Sequence, residues 1–340
     1  MNNTSPKLLA IDIGYSSVKV ARHDSAGLIQ FDKFINAVAK IDNPLEIDDD
    51  IMFNLLDKTY VLGPAALKVS REFILDMKTY EDLKTVTPVW ISYLLRKYSD
   101  VRYDKVIIGL SLAFQDMADD LLSYIKETLL IEDDNYFMLL PQGVAAKESY
   151  QQFGMDLGNM ESTKSNTTKL RNYLIVDGGF ETLDFACVVE GKASTGAAIG
   201  IKDSGVIRIC HAICDHVFKT YGFQISLKEA QTVMDTGHLI KRGRDFDLTE
   251  VVNDLSKQYI AYVLNLLEEK YGAYLDQSNG VLVLGGLGYF FEKFKNDSYV
   301  IAEIEKHMDR NFIHWTPVYS EFYNAISFLK LGEKLCAAGK

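Results

Sequence analysis

Three observations predict an α/β protein of two domains of like fold, with their hairpins facing one cleft. Short apolar runs of strand length alternate with stretches of helical periodicity along all 340 residues. A strand, an Asp-led glycine turn and a second strand open the chain around Asp12, and the same sequence of elements returns at Asp177, 165 residues later. A third glycine-rich segment, Gly285-Gly286-Leu287-Gly288, follows a late buried-type strand. A single recurrence at that separation implies two domains of one fold and not a solenoid, whose period is roughly 20–50 residues.

In chain order, residues 8–13 and 18–21 are apolar runs joined by a polar, glycine-containing turn, the pattern of a β-hairpin. A third strand, 28–31, follows the Ser25-Ala26-Gly27 turn. Residues 43–50 carry Glu46, Asp48, Asp49 and Asp50 and read as a solvated acidic loop. Pro88 is expected to precede a helix in which Trp90, Tyr93, Leu94 and Lys97 recur at helical spacing. A buried-type strand at 106–112, a helix at 117–130 and a strand at 137–140 follow. Pro141-Gln142-Gly143 breaks that strand before a small-residue helix start at Val144-Ala145-Ala146. Residues 154–169, rich in Gly, Asn, Ser and Thr without periodicity, read as the linker between halves.

The second half begins with strands at 173–176 and 183–189 around Asp177-Gly178-Gly179, then a third after the Glu190-Gly191-Lys192 turn. Asp247 with Glu250 reads as a capping pair for a long helix whose inner face is Val252, Leu255, Tyr259, Tyr262, Val263 and Leu266. A buried strand at 280–284 breaks at Gly285-Gly286, and the chain closes with a helix at 321–335. The expected domains are 1–150, with the closing helix (about 321–340) packing back on it, and 165–320.

With 36 Lys and Arg against 47 Asp and Glu, the net charge is −11; 48 % of residues are hydrophobic and 24 % charged. That is the mix of an ordinary folded protein, and it excludes intrinsic disorder, collagen-like repetition and a disulfide scaffold. An acidic balance argues against direct nucleic-acid binding, which needs clustered Lys and Arg. No apolar run reaches the ~18–20 residues needed to cross a bilayer. Residues 1–7 are polar and lead straight into a strand, unlike a signal peptide. Four unevenly spaced cysteines fit a reducing compartment. The expectation is a soluble, cytoplasmic protein without a membrane partner.

The turns carry chemistry. A nucleoside triphosphate needs backbone N–H groups close to its phosphates, carboxylates for Mg²⁺, and a cation. The first turn offers Asp12, then Gly14, Tyr15, Ser16 and Ser17, then Lys19. The second offers Asp177, Gly178, Gly179 and Thr182. Taken singly, either turn is what Asp and Gly do in any hairpin. Taken together, they describe two domains pressing hairpins against one ligand, with Asp177 expected as an exposed carboxylate in the cleft.

The set Asp12-Ile13-Gly14-Tyr15-Ser16-Ser17-Val18-Lys19, Asp177-Gly178-Gly179-Phe180-Glu181-Thr182-Leu183-Asp184 and Val283-Leu284-Gly285-Gly286-Leu287-Gly288 resembles the three nucleotide signatures of the actin, sugar-kinase and DnaK-type chaperone superfamily. In order, these are its first phosphate loop, second phosphate loop and adenosine motif. Leu140-Pro141-Gln142-Gly143-Val144-Ala145-Ala146 and Asn324-Ala325-Ile326-Ser327-Phe328 resemble its two connecting helices. All five stand in the family's order. The Asp177-x-Gly-x-x-Thr182-x-Asp184 pattern and the short chain are most similar to prokaryotic actin-like proteins of the ParM/StbA type and their archaeal relatives.

The resemblance implies two actin-like (ribonuclease-H-like) domains, each a mixed sheet flanked by helices, around a nucleotide cleft that binds ATP or GTP with Mg²⁺. Asp12 and Asp177 would organise the Mg²⁺ and its waters, and Lys19 would touch the β- and γ-phosphates. Gly14, Tyr15, Ser16 and Ser17, with Gly178, Gly179 and Thr182, would wrap the phosphate tail. Gly285, Gly286 and Leu287 would lie along the nucleoside. Gln142 would orient the attacking water, since a neutral amide positions and does not act as a base. The implied activity is an ATPase coupled to head-to-tail filaments, with DNA segregation through a separate DNA-binding adaptor. Phe180 and Glu181 depart from the small residues usual in that second loop, and Asn324-Ala325-Ile326-Ser327 lacks a common glycine.

Two other classes use the same signatures. A small-molecule kinase would need a general base, for which Asp203 and Asp184 are the candidates. A non-polymerising ATP-binding scaffold would keep the nucleotide site and lack filament contacts. Cys210, His211, Cys214 and His216 do not share one helix face and read as structural. Lys241-Arg242-Gly243-Arg244 reads as a solvated basic cluster, and no G-x-x-x-x-G-K-[ST] loop is present.

Overall fold

Six consecutive buried residues, Leu8–Ile13 (β1), form the central strand of the first sheet. It pairs antiparallel with Ser17–His23 (β2), which pairs antiparallel with Ile29–Ile35 (β3). On its other side β1 runs parallel to Lys105–Leu110 (β7), itself parallel to Phe137–Pro141 (β8). Val38–Ile41 (β4), Met52–Leu55 (β5) and Lys58–Leu62 (β6) make a separate small sheet in the order β4-β6-β5. The structure is a computed structural model that describes residues 6–41, 52–70, 73–75, 77, 79–145, 172–315 and 320–338. The chain divides into two compact units, Met1–Gln152 with Phe322–Lys340, and Phe153–Glu321.

Helices Tyr80–Lys97 (α1) and Ala118–Leu129 (α2) belong to the first unit. α1 starts at a capping box between Thr79 and Asp82, so Pro88 lies inside the helix and does not precede it. Proline there forfeits one backbone bond and normally costs about 3 kcal/mol. Val86, Val89, Trp90, Ile91 and Leu94, all buried around it, supply the compensating apolar burial.

In the second unit Tyr173–Gly178 (β9) takes the place of β1. It pairs antiparallel with Leu183–Val189 (β10), which pairs with Lys192–Ile201 (β11). It runs parallel to Val281–Leu284 (β14), itself parallel to Ile313–Trp315 (β15). The sheet order β11-β10-β9-β14-β15 reproduces β3-β2-β1-β7-β8 strand for strand. His238–Lys241 (β12) and Arg244–Asp247 (β13) form a separate hairpin. The helices are Ile207–Tyr221 (α3), Leu227–Thr236 (α4), Thr249–Leu275 (α5), Gly285–Phe294 (α6) and Ser298–His307 (α7).

One expectation shifts. Leu248 occupies the cap position of α5, and Asp247 accepts the Thr249 N–H (2.9 Å) from one residue further out. The strand β14 ends at Leu284, where the glycine segment was expected to break it, and the glycines open α6 directly. The helix start expected at Val144-Ala145-Ala146 is described only as far as Ala145, where residues 142–145 form turns, and the acidic loop at 43–50 and the linker at 154–169 lie outside the described residues.

The last helix, Tyr323–Ala337 (α8), belongs to the first unit. Phe328 and Leu329 are wholly buried. A Cβ on Gly109 of β7 would collide with the Phe328 ring, and one on Gly332 of α8 with Ile107. Two bare backbones, one on each element, therefore let the helix lie flat on the sheet. On the sheet's edge of that contact, His23 takes the Leu8 N–H on Nδ1 (3.0 Å) and meets Glu333 of α8 through Nε2 (3.0 Å).

Candidate functional site

The first cluster is built by the β1–β2 hairpin. Asp12 and Lys19 face one another in register across the two strands. The turn between them closes on a Gly14 N–H bond to the Ser17 carbonyl (3.0 Å). The Lys19 Nζ stands 3.7 Å from Asp12 Oδ2, and Gln142, just past β8, donates its Nε2 to Asp12 Oδ1 at 2.6 Å. Asp12 is only 4 % exposed, because it sits in a strand buried on both faces. Burial pushes its carboxyl above the usual range, and the Lys19 ammonium and the Gln142 bond offset this only in part. The Tyr15 side chain turns into the unit against Phe114 (6.4 Å between ring centroids), so what Tyr15 can present to a ligand is backbone.

The second cluster repeats this at the β9–β10 hairpin. Gly179 donates to the Thr182 carbonyl at 3.0 Å, the same bond at the same length, between residues 165 positions on. Asp177 takes the place of Asp12 and is also 4 % exposed, which corrects the expectation of an exposed carboxylate. The strand-by-strand match ends at one position: Asp184, not a lysine, stands in register across from Asp177.

The third glycine segment packs directly on this hairpin. Gly178 bridges to Gly285 in parallel, and Gly285 adopts φ +66°. A Cβ on Gly285 would stand 2.5 Å from Asp177 Oδ1, and one on Gly178 would collide with Leu287. Leu287 is 0 % exposed and supports Gly178 from the core, so it cannot line a nucleoside as expected. Gly178 is itself covered, while Gly179 in the hairpin turn and Gly285 and Gly286 at the N-terminus of α6 are not buried. A helix N-terminus with bare glycine N–H groups favours anions.

Phe180 and Glu181 resolve differently from each other. Phe180 packs on the apolar core of the second unit. Glu181 is buried against Asp203, which stands on an exposed turn at φ +54°, and burial together with that second carboxyl raises the Glu181 carboxyl to about 7. The segment after Asp203 ties down the loop: Val206 N–H bonds Gly179 O (2.9 Å), Ile207 N–H bonds Phe180 O (2.7 Å) and Gly205 N–H bonds Glu181 O (3.2 Å).

Sequence patterns pointed to neither Asn36 nor Trp90. Asn36 bonds the first turn through both its backbone and its side chain, and its partner Trp90 lies 54 residues on. The available signal was one amide inside the apolar run Phe34-Ile35-Asn36-Ala37-Val38. Asn324, in the first turn of α8, accepts the Gly143 N–H (3.2 Å) beside Gln142.

Among the described residues no three His, Cys, Asp or Glu side chains gather to enclose a metal ion. A buried carboxylate beside a glycine turn, such as Asp12 or Asp177, suits Mg²⁺, which keeps several waters and takes its other ligands from phosphate. Burial disfavours the ionised form of Asp12, and a cation beside it would favour that form. Cys210 is a buried thiol pushed up to about 12, and the Cys214 Sγ lies 3.6 Å from the Ile225 carbonyl, so both belong to the core. All four cysteines are free, and among the described residues no helix is long and apolar enough to cross a membrane.

The fold is the two-domain actin-like fold. A 15-stranded ParM filament from Clostridium botulinum matches with a TM-score of 0.70 at 17 % identity, covering 97 % of this chain and 100 % of that one. An archaeal actin homologue in complex with ADP matches at 0.65 and 14 %, covering 96 % and 99 %. Bacillus thuringiensis ParM with ATP matches at 0.58 and 13 %, covering 98 % and 100 %. In sequence, residues 175–295, which hold the second hairpin and the third glycine segment, match the family described as archaeal actin homologue MreB-like, C-terminal. No curated protein matches the chain.

Proposed function

We propose that this chain is an actin-like ATPase that binds Mg·ATP between its two units and assembles head to tail into filaments governed by nucleotide state. The observation that carries the reading is the duplicated hairpin: a buried Asp, then a glycine turn closed by the same 3.0 Å bond, in both units. Support comes also from the similar proteins, one a ParM filament and others bound to ADP or ATP.

In this reading Asp12 and Asp177 hold Mg²⁺ through water. The bound cation neutralises phosphate charge and draws electron density from the phosphoryl oxygens. Lys19 balances the β- and γ-phosphates, while Gly14, Tyr15, Ser16, Ser17 and Gly179 offer backbone N–H groups to the tail. Thr182 closes the second turn. Gly285 and Gly286 let the nucleoside approach the start of α6. Gln142 has its amide N–H committed to Asp12, so its Oε1 is the atom that orients the attacking water. ATP is the first choice of nucleotide, with GTP as the alternative.

Filament growth requires a heterologous head-to-tail contact whose rotation does not close a ring. Nucleotide governs it only through differential affinity for two conformations. With net charge −11 and free cysteines, we place the chain in the cytoplasm, meeting DNA cargo through a separate DNA-binding adaptor and not directly. The test is light scattering and pelleting with and without ATP and Mg²⁺, followed by electron microscopy of the pellet. Nucleotide-dependent filaments are expected. Sugar-dependent ADP production with no assembly at any protein concentration would give the protein to the kinase class instead.

A further inference from the structure

We infer that Asn36 is a positioning residue that aims the carbonyls of the first glycine turn away from phosphate. The inference rests on the nucleotide reading above and adds a residue to it. Asn36 is 5 % exposed and grips the turn twice: its Nδ2 donates to the Gly14 carbonyl at 2.8 Å, and its backbone N–H donates to the Ser16 carbonyl at 3.0 Å. Its Oδ1 accepts the Trp90 indole N–H at 2.6 Å, which fixes the orientation of the amide. Trp90 is itself immobilised, wholly buried between Phe34 and Tyr93.

The consequence follows from peptide geometry. In a trans peptide the carbonyl of one residue and the N–H of the next point in opposite directions. Pinning Gly14 O and Ser16 O toward Asn36 therefore turns the N–H groups of Tyr15 and Ser17 the other way. An anion-binding turn needs that sorting, because a carbonyl oxygen aimed at a phosphate repels it.

The second unit supports the same logic by other means. The residues matching Gly14 and Ser16 at the 165-residue spacing are Gly179 and Glu181. Their carbonyls are pinned as well, by the N–H groups of Val206 and Gly205 at the start of α3. In the first unit no helix start bonds those carbonyls among the described residues, and the side-chain amide of Asn36 stands in for one backbone N–H. The same two carbonyls are held in both hairpins, by unrelated donors.

The test uses the full chain and calorimetric or fluorescence titration with Mg·ATP and with AMP. Asn36→Asp keeps the acceptor for Trp90 and replaces the donor facing Gly14 by an oxygen; Asn36→Ser removes the amide without adding charge. In whichever variant folds, Mg·ATP affinity is expected to fall by about tenfold or more while AMP affinity stays within about twofold. Trp90→Phe, which leaves the Nδ2 bond, lowers the melting temperature with a smaller loss of Mg·ATP affinity. A purely structural role would lower stability and leave the split between the two nucleotides unchanged. Mg·ATP affinity within about twofold of wild type in a folded Asn36 variant, or equal loss for AMP, overturns the inference. A wild-type chain that binds neither nucleotide removes the phosphate reading itself, and this inference with it.

Discussion

Gly285 and Asp177 are in contact across 108 residues of sequence: the glycine's α-carbon lies so close to the carboxylate that an added Cβ would stand 2.5 Å from Oδ1. The glycine segment thus forms one wall around the metal-ligand candidate of its own unit. Because Gly285 also has φ +66°, any side chain there meets two penalties.

Gly285→Ala should cost about 2–4 kcal/mol, from left-handed strain and displacement of Asp177 together. Urea unfolding measures the loss. Gly286→Ala, whose Cβ would meet nothing nearer than Val206 at 3.4 Å, serves as the control and should be close to wild type.

Lys19→Met leaves Asp12 buried without its cation at 3.7 Å. A loss of about 1–3 kcal/mol is expected, since removing one partner strands the other charge. The double variant Lys19→Met/Asp12→Asn should recover part of it, and a double-mutant cycle in urea checks the coupling.

Glu181 gives the molecule a pH signature. Its carboxyl holds a proton up to about 7, against an ordinary 4.5, because it is buried beside Asp203. Between those values the folded chain binds more protons than the unfolded one, so this group's stabilising contribution falls as pH rises through the window and levels off above it. Glu181→Gln should remove that slope. Its melting temperature should exceed wild type by about 2–4 °C at pH 8 and converge with it near pH 5, as read by thermal denaturation.

Gln142→Ala removes the amide that bonds Asp12 at 2.6 Å. Hydrolysis should slow by about tenfold or more with Mg·ATP binding retained, and filaments should persist longer. Single-turnover phosphate release, compared with titration of binding, separates the two effects.

Elements carried by local pattern were legible in the sequence. The Asp-led glycine turns, their 165-residue recurrence and the matching strands around them all follow from short-range turn chemistry and alternation, and the two sheets have one strand order. Long-range burial was not legible. Pro88 reads as a helix start by its own preference. The Thr79–Asp82 capping box that opens the helix at Tyr80, and the burial of Val86, Val89, Trp90, Ile91 and Leu94 that holds the proline inside it, become plain only in the fold. The burial of Asp177 depends on β14 and Gly285, more than a hundred residues away. Leu287 reads as part of a ligand motif by position, yet its register on α6 sends it into the core. Asn36 and Trp90 find each other only after folding.

The most direct test of the central claim is the stoichiometry of Mg·ATP binding, measured by isothermal titration on wild type, Asp12→Asn, Asp177→Asn and the double variant. If both hairpins serve one ligand, wild type binds a single Mg·ATP per chain, either substitution weakens that one site, and the double variant is little worse than the weaker single. Two sites per chain, or losses in Asp12→Asn and Asp177→Asn that add independently, would contradict it.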